Sequence, residues 1–341
     1  MQDPVLNSDM LAKVIEASDG RRAERRRFLR FAGSATAAVG GLTLLAACGN
    51  DDDDDAGVTP TPTPAPPATG VTDIDVLNFA LQLEYLEAQF YSYATFGVGL
   101  PAAQLTGTGT QGAVVTGTGA GFPRQVPFSD QIVAQYAREI AADEIAHVAF
   151  LRSALGTAAA AQPAINISGD ANGSFTAAAR AAGVVPSTGT FDPYLNDNNF
   201  LLGAYIFEDV GVTAYKGASP LISNKTFLEA AAGILAAEAY HAGLIRTILY
   251  RKGVEIPLLR TAAGQISDAR DSLDGSSDLD QGITGSDPAI SNIVPVDANA
   301  IAFSRTTGQV LNIVYLNRAA TSSGGFFPAG VNGSIRTSAA N

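Results

Sequence analysis

The sequence predicts an all-α protein built on a four-helix bundle, with a long crossover between the second and third helices and an irregular C-terminal extension. Three observations predict this. Apolar residues recur at helical spacing in four blocks; capping residues stand at the block ends; and about 40 residues separate the second block from the third, enough to run the bundle end to end. The 46% apolar content supplies a core, while Gly-, Ala-, Thr- and Asp-rich stretches keep the packed part smaller than the 341-residue chain.

Residues 1–47 read as an address. Arg25 and Arg26 open a basic run that precedes an uncharged stretch, residues 31–47, too short and glycine-rich for a stable membrane span. This resembles a twin-arginine export signal, and Leu45-Ala46-Ala47-Cys48-Gly49 resembles a lipobox that makes Cys48 the lipidated first residue of the mature chain. Residues 48–71 carry a run of aspartates, then prolines alternating with Thr and Ala. Like charges repel and alternating prolines stiffen, which gives an extended spacer. The expected location is the bacterial cell envelope, outside the cytoplasm, with a lipid anchor holding the chain to a membrane.

Block A spans 73–96, B 129–156, C 198–217 and D 224–252, within a bundle domain of residues 72–255. Thr72 and Ser129 are the expected N-caps of A and B; Gly97, Gly156 and Gly253 follow A, B and D as C-terminal glycines. In the extension, 256–341, one short helix is expected over 261–273 and another from a Thr306/Gln309 capping box to about Leu316, with Val310, Ile313 and Val314 facing the bundle. Whether the extension covers a site or a dimer surface is left open, as is homo-oligomerisation.

A net charge of −12 and the lack of a basic stripe with interleaved aromatics argue against a nucleic-acid partner, and the single cysteine excludes internal disulfides and thiolate metal sites.

The inward stripes carry the chemistry. In B the i, i+4, i+7, i+11 face reads Ile140, Glu144, His147, Leu151; in D it reads Ile234, Glu238, His241, Ile245. Block A gives Leu77, Leu81, Glu84, Ala88, Tyr91, and C gives Leu201, Tyr205, Glu208, Val212, Tyr215. The pattern Glu, Glu-x-x-His, Glu, Glu-x-x-His is the ligand set of ferritin-like proteins with two iron or two manganese ions, and it uses both histidines of the chain. Four buried carboxylates cost several kcal/mol each unless compensated; two divalent ions balance them, and two neutral imidazoles complete the coordination. Glu84 and Glu208 are expected as terminal ligands, Glu144 and Glu238 as bridges, and His147 and His241 as one nitrogen donor per ion. Iron is the first choice and manganese the second. Glu87 is the alternative ligand on block A; Glu84 is preferred because its spacing to Tyr91 repeats that of Glu208 to Tyr215. Tyr91 and Tyr215 are expected beside the ligands as packing residues with satisfied hydroxyls. The competing reading pairs the acids with Arg138, Arg152 or Arg246, none of which stands level with them on its stripe.

Whole stretches also resemble one family. Residues 77–88, Phe191-Asp192-Pro193-Tyr194, residues 208–215, Val294-Pro295-Val296-Asp297-Ala298, Phe303-Ser304-Arg305-Thr306, Ile313-Val314-Tyr315 and Gly324-Gly325-Phe326-Phe327-Pro328 resemble the desiccation-related ferritin-like proteins of plants and bacteria, over roughly 73–335. The resemblance implies a ferritin-like fold and a link to drying or oxidative stress. The function expected is redox chemistry of a two-metal site on dioxygen, peroxide or ferrous iron, as a ferroxidase, peroxidase or catalase-like oxidoreductase. The alternative is a non-enzymatic stress protein that uses the bundle as scaffold. A storage cage is the weaker third, because a tethered chain with long insertions is awkward to close into a shell.

Overall fold

Block A forms α1 (Asp73–Phe96), started by a capping box in which Thr72 Oγ1 accepts from the Asp75 N–H and the Asp75 carboxylate accepts from the Thr72 N–H. It stops at Gly97, whose φ of 72° is the left-handed turn that glycine makes without strain. Block B forms α2 (Gln131–Leu155), and here the cap differs from expectation: Asp130 caps, its carboxylate accepting from Ile132 and Val133 N–H. A carboxylate brings the negative charge that a helix N-terminus favours, and Lys252 pairs with it at 2.9 Å. Ser129 instead donates its N–H and hydroxyl to Asp197.

The computed structural model describes residues 70–117, 125–286 and 290–341. Arg25, Arg26, the uncharged stretch, Cys48 and the Asp/Pro spacer to residue 69 lie outside the described residues. Among those described, no helix is long and apolar enough to cross a membrane.

The crossover carries an element that the sequence reading lacked, α3 (Ser174–Ala181), which buries Phe175. Its N-cap, Gly173, offers no side chain, so no capping signal announces it. Nearby, β2 (Ile165–Asn166) pairs in parallel with β1 (Val114–Val115) from the A–B loop. Block C forms α4 (Asp197–Ala218), capped by Asn196, and block D forms α5 (Lys225–Glu255), capped by Asn224. α5 runs through Gly253 rather than ending before it. A Cβ there would stand 2.3 Å from Arg260 Cγ, so this glycine serves a close approach to α6 (Pro257–Asp274), not a helix stop. Arg260 meanwhile donates to the Tyr250 carbonyl.

α1 lies along α2 and α4 along α5; the two pairs close with α1 facing α4 and α2 facing α5. The extension wraps the α4 side. α6 starts at Pro257, four residues before the expected 261, because proline is pre-shaped for the first helical position. α7 (Thr307–Val314) has the expected Thr306/Gln309 capping box and stops short of Leu316, which adopts φ 52°. Phe326 packs edge-on to Phe175 and Phe207, closing the α1/α4 seam together with Ile313 and Val314.

Candidate metal centre

Helical periodicity does the positioning. Glu and His three residues apart share a face, so α2 presents Glu144 and His147, and α5 presents Glu238 and His241, into the core. α1 and α4 contribute Glu84 and Glu208; all six side chains are buried. His147 Nδ1 lies 3.2 Å from Glu84 Oε2, 3.5 Å from Glu144 Oε2 and 3.7 Å from Glu238 Oε1. His241 Nδ1 lies 3.0 Å from Glu144 Oε1 and 3.5 Å from Glu208 Oε2. Two groups result, Glu84-Glu144-His147-Glu238 and Glu144-Glu208-His241, each with one donor atom per residue within 4.8 Å of the others. Glu144 turns one oxygen to each group, as a bridge does. Glu238 falls in the first group alone, so the geometry gives it a bridging role less directly than expected.

The donor atoms are the test of fit. Glu84 Oε2, both oxygens of Glu144 and Glu238, Glu208 Oε2, and Nδ1 of both histidines are buried without a hydrogen-bond partner. So many orphaned acceptors facing one another at a bundle centre are costly unless cations sit among them. Hard oxygen donors with one imidazole per group suit two divalent ions of the iron or manganese type. The outer oxygens are held: Tyr91 donates to Glu208 Oε1 from α1, and Tyr215 donates to Glu84 Oε1 from α4, an exchange across the bundle axis.

Electrostatics agree. Burial, only partly offset by His147, pushes the Glu84 carboxyl up to about 7. Burial and the charges of Glu144, Glu84 and Glu208 hold Glu238 well above the usual carboxylate range. Glu144 goes the other way: burial works against its ionisation, but the two histidines outweigh it and keep it a carboxylate.

Glu87 is buried but belongs to neither group. It stands across Gly211 from Glu238: a Cβ on Gly211 would lie 2.4 Å from Glu238 Oε2 and 3.6 Å from Glu87 Oε1. Burial and the neighbouring acids raise its pKa strongly. Two of the three candidate arginines are engaged elsewhere. Arg246 pairs with Asp209 at 2.7 Å, and Arg152 donates to the Tyr85 hydroxyl and the Thr106 carbonyl.

One functional neighbour escaped the sequence reading. Asp143 Oδ2 lies 3.4 Å from His241 Nε2, a backing that leaves Nδ1 as the donor toward the centre. Its signal was present, because an acid directly precedes Glu144 on α2; the corresponding position before Glu238 is Ala237.

With this geometry in place, comparison with known proteins gives a consistent picture. A family model described as Ferritin-like domain matches residues 72–251. The chain is similar to the Ferritin-like catalase Nec2 of Nesocodon mauritianus, 29% identical over 276 residues, 77% of this chain and 84% of that one. It is also similar to the Desiccation-related protein PCC13-62 of Craterostigma plantagineum, 31% identical over 251 residues, 70% and 76% of the two chains. No solved structure matches it.

Proposed function

We infer the function from one premise: this chain belongs to the desiccation-related ferritin-like family. We propose that it is a two-metal carboxylate protein that disproportionates hydrogen peroxide at the cell envelope, one peroxide being reduced to water while a second is oxidised to dioxygen. The observation that carries the metal site is the pair of buried donor groups sharing Glu144. The choice of peroxide over dioxygen or ferrous iron is supported by the relative named a catalase.

Two bound ions supply the place where two electrons are taken up and returned. The chain's own residues do the rest. Glu144 holds the two groups at a fixed separation; Glu84 and Glu208, tied by Tyr215 and Tyr91, cannot swing away. Asp143, 3.4 Å from His241 Nε2, would hold a proton on that nitrogen and leave Nδ1 for the metal. The apolar stripes around them keep bulk water from the centre except on the His147 side. Iron is the first choice and manganese the second. Envelope anchoring through Arg25, Arg26 and Cys48 is part of the same proposal, supported by their spacing in the sequence.

The test is purified protein loaded with iron or manganese, with metal content and oxygen release from peroxide measured together. The expected result is two ions per chain and steady oxygen release, both lost in Glu144→Ala. A second reading, a stress protein using the bundle as scaffold, is favoured by the relative named for desiccation. It wins if survival of drying is unchanged by Glu144→Ala.

A further inference from the structure

The α1/α4 seam is sealed by Ile313, Val314 and Phe326, but the opposite seam, between α2 and α5, holds a cleft of about 560 Å³. One stripe of each helix lines it. On α2 these are Asp143, His147, Phe150 and Ser153; on α5 the stripe through Thr226, Ala230, Gly233 and Ala237 ends one residue before the ligand Glu238. Ser153, Thr226 and Gly233 are exposed at the mouth, and buried His147 stands at the inner end.

The two helices carry nearly the same motif, Asp143-Glu144-x-x-His147 and Ala237-Glu238-x-x-His241. Asp143 of α2 backs His241 of α5. By the pseudo-symmetry of the bundle, residue 237 is where a reciprocal acid would back His147. Alanine stands there and lines the cleft. The missing carboxylate therefore leaves open space beside one imidazole and not the other. Further out, a Cβ on Gly233 would meet nothing within 4 Å, so the passage is widened by residues smaller than the space requires.

We infer that this cleft is the entrance by which small uncharged oxygen species reach the His147 side of the metal pair, with Ala237 and Gly233 setting its width. The inference rests on the two-metal reading above. Asp143 and the exposed Glu229 line the cleft with acidic side chains, which favour uncharged visitors over anions.

The experiment uses nitric oxide as a neutral diatomic probe, binding to the anaerobic ferrous-loaded protein in a stopped-flow instrument. Gly233→Leu and, independently, Thr226→Trp at the exposed mouth fill the cleft without touching a ligand. Expected is an association rate at least tenfold slower in both, with iron content and the ferrous spectrum unchanged. Gly233→Ala, which adds one methyl into open space, should stay within twofold of the parent. Equal rates in parent and filled variants would overturn the entrance even where peroxide turnover persists. Fast nitric oxide binding that is slowed by filling, in a protein without peroxide turnover, would overturn the peroxide reading and leave the entrance standing.

Discussion

At the scale of single residues, the glutamates make the centre a trade between protons and cations. Without metal, Glu84 is pushed up to about 7 and Glu238 higher than an ordinary carboxylate, so the folded chain binds protons that the unfolded chain releases near 4.5. A raised folded pKa contributes stability at low pH that is lost as pH climbs through the folded value. The two histidines, whose basicity is opposed by burial but raised further by the glutamates around them, act with the same sign. Glu144, held below its usual value, acts with the opposite sign, but only at pH below the range of an ordinary glutamate. The metal-free protein should therefore lose several degrees of Tm between pH about 5 and 7.5, while the metal-loaded protein, whose cations have displaced those protons, should not. Thermal unfolding followed by circular dichroism on both forms checks this; parallel pH curves would contradict it.

At the scale of elements, how much could be read in advance depended on whether the signal was local. The four long helices were legible because each spans several turns and repeats its apolar stripe, and that stripe located Glu84, Glu144, His147, Glu208, Glu238 and His241 at one level of the bundle. α3 was not legible: it is eight residues long with an uncapping glycine, and Phe175 is drawn inward by Phe90, Phe207 and Phe326, which are distant in sequence. Gly253 misled for the same reason, since its purpose is set by Arg260 on the next helix. Gly211 shows the principle inside the site. It lies on α4, where alanine would raise helix propensity by about 1 kcal/mol, yet its Cβ would press on Glu238 Oε2. Gly211→Ala should leave the metal-free fold as stable as before or more so, while weakening metal binding about 10- to 100-fold, the range seen when the support of a ligand is disturbed. Competition titration against a chelator reads the affinity, and retained affinity would show that Glu238 has room to move.

At the scale of the whole molecule, the extension is joined to the bundle by buried charge rather than by apolar contact alone. Asp209 on α4 accepts from Arg246 of α5 at 2.7 Å and from Arg270 of α6 at 2.9 Å. Arg270 also reaches Asp280 at 2.7 Å, and Arg305 joins Asp280 at 2.9 Å and pairs with Asp274. Three aspartates face three arginines with almost no exposure to water, so each charge is tolerable only while its partners stay in place. Arg305 closes the chain of pairs: its backbone N–H donates to the Thr213 carbonyl and its guanidinium to Thr213 Oγ1, one turn before the end of α4. Removing it strands Asp274 in the interior and leaves Asp280 to Arg270 and Ser267 alone, a loss of about 3–5 kcal/mol for a broken buried pair. Arg305→Ala should lower Tm by about 10 °C or more and expose the segment after Asp274 to protease before the bundle itself opens. Limited proteolysis with mass spectrometry separates the outcomes. Cleavage confined to the segment after residue 274, with metal still bound, shows that the network holds the extension and the four helices hold the centre. Simultaneous loss of both would mean instead that the bundle depends on its wrapping, through the α1/α4 seam that Ile313, Val314 and Phe326 cover.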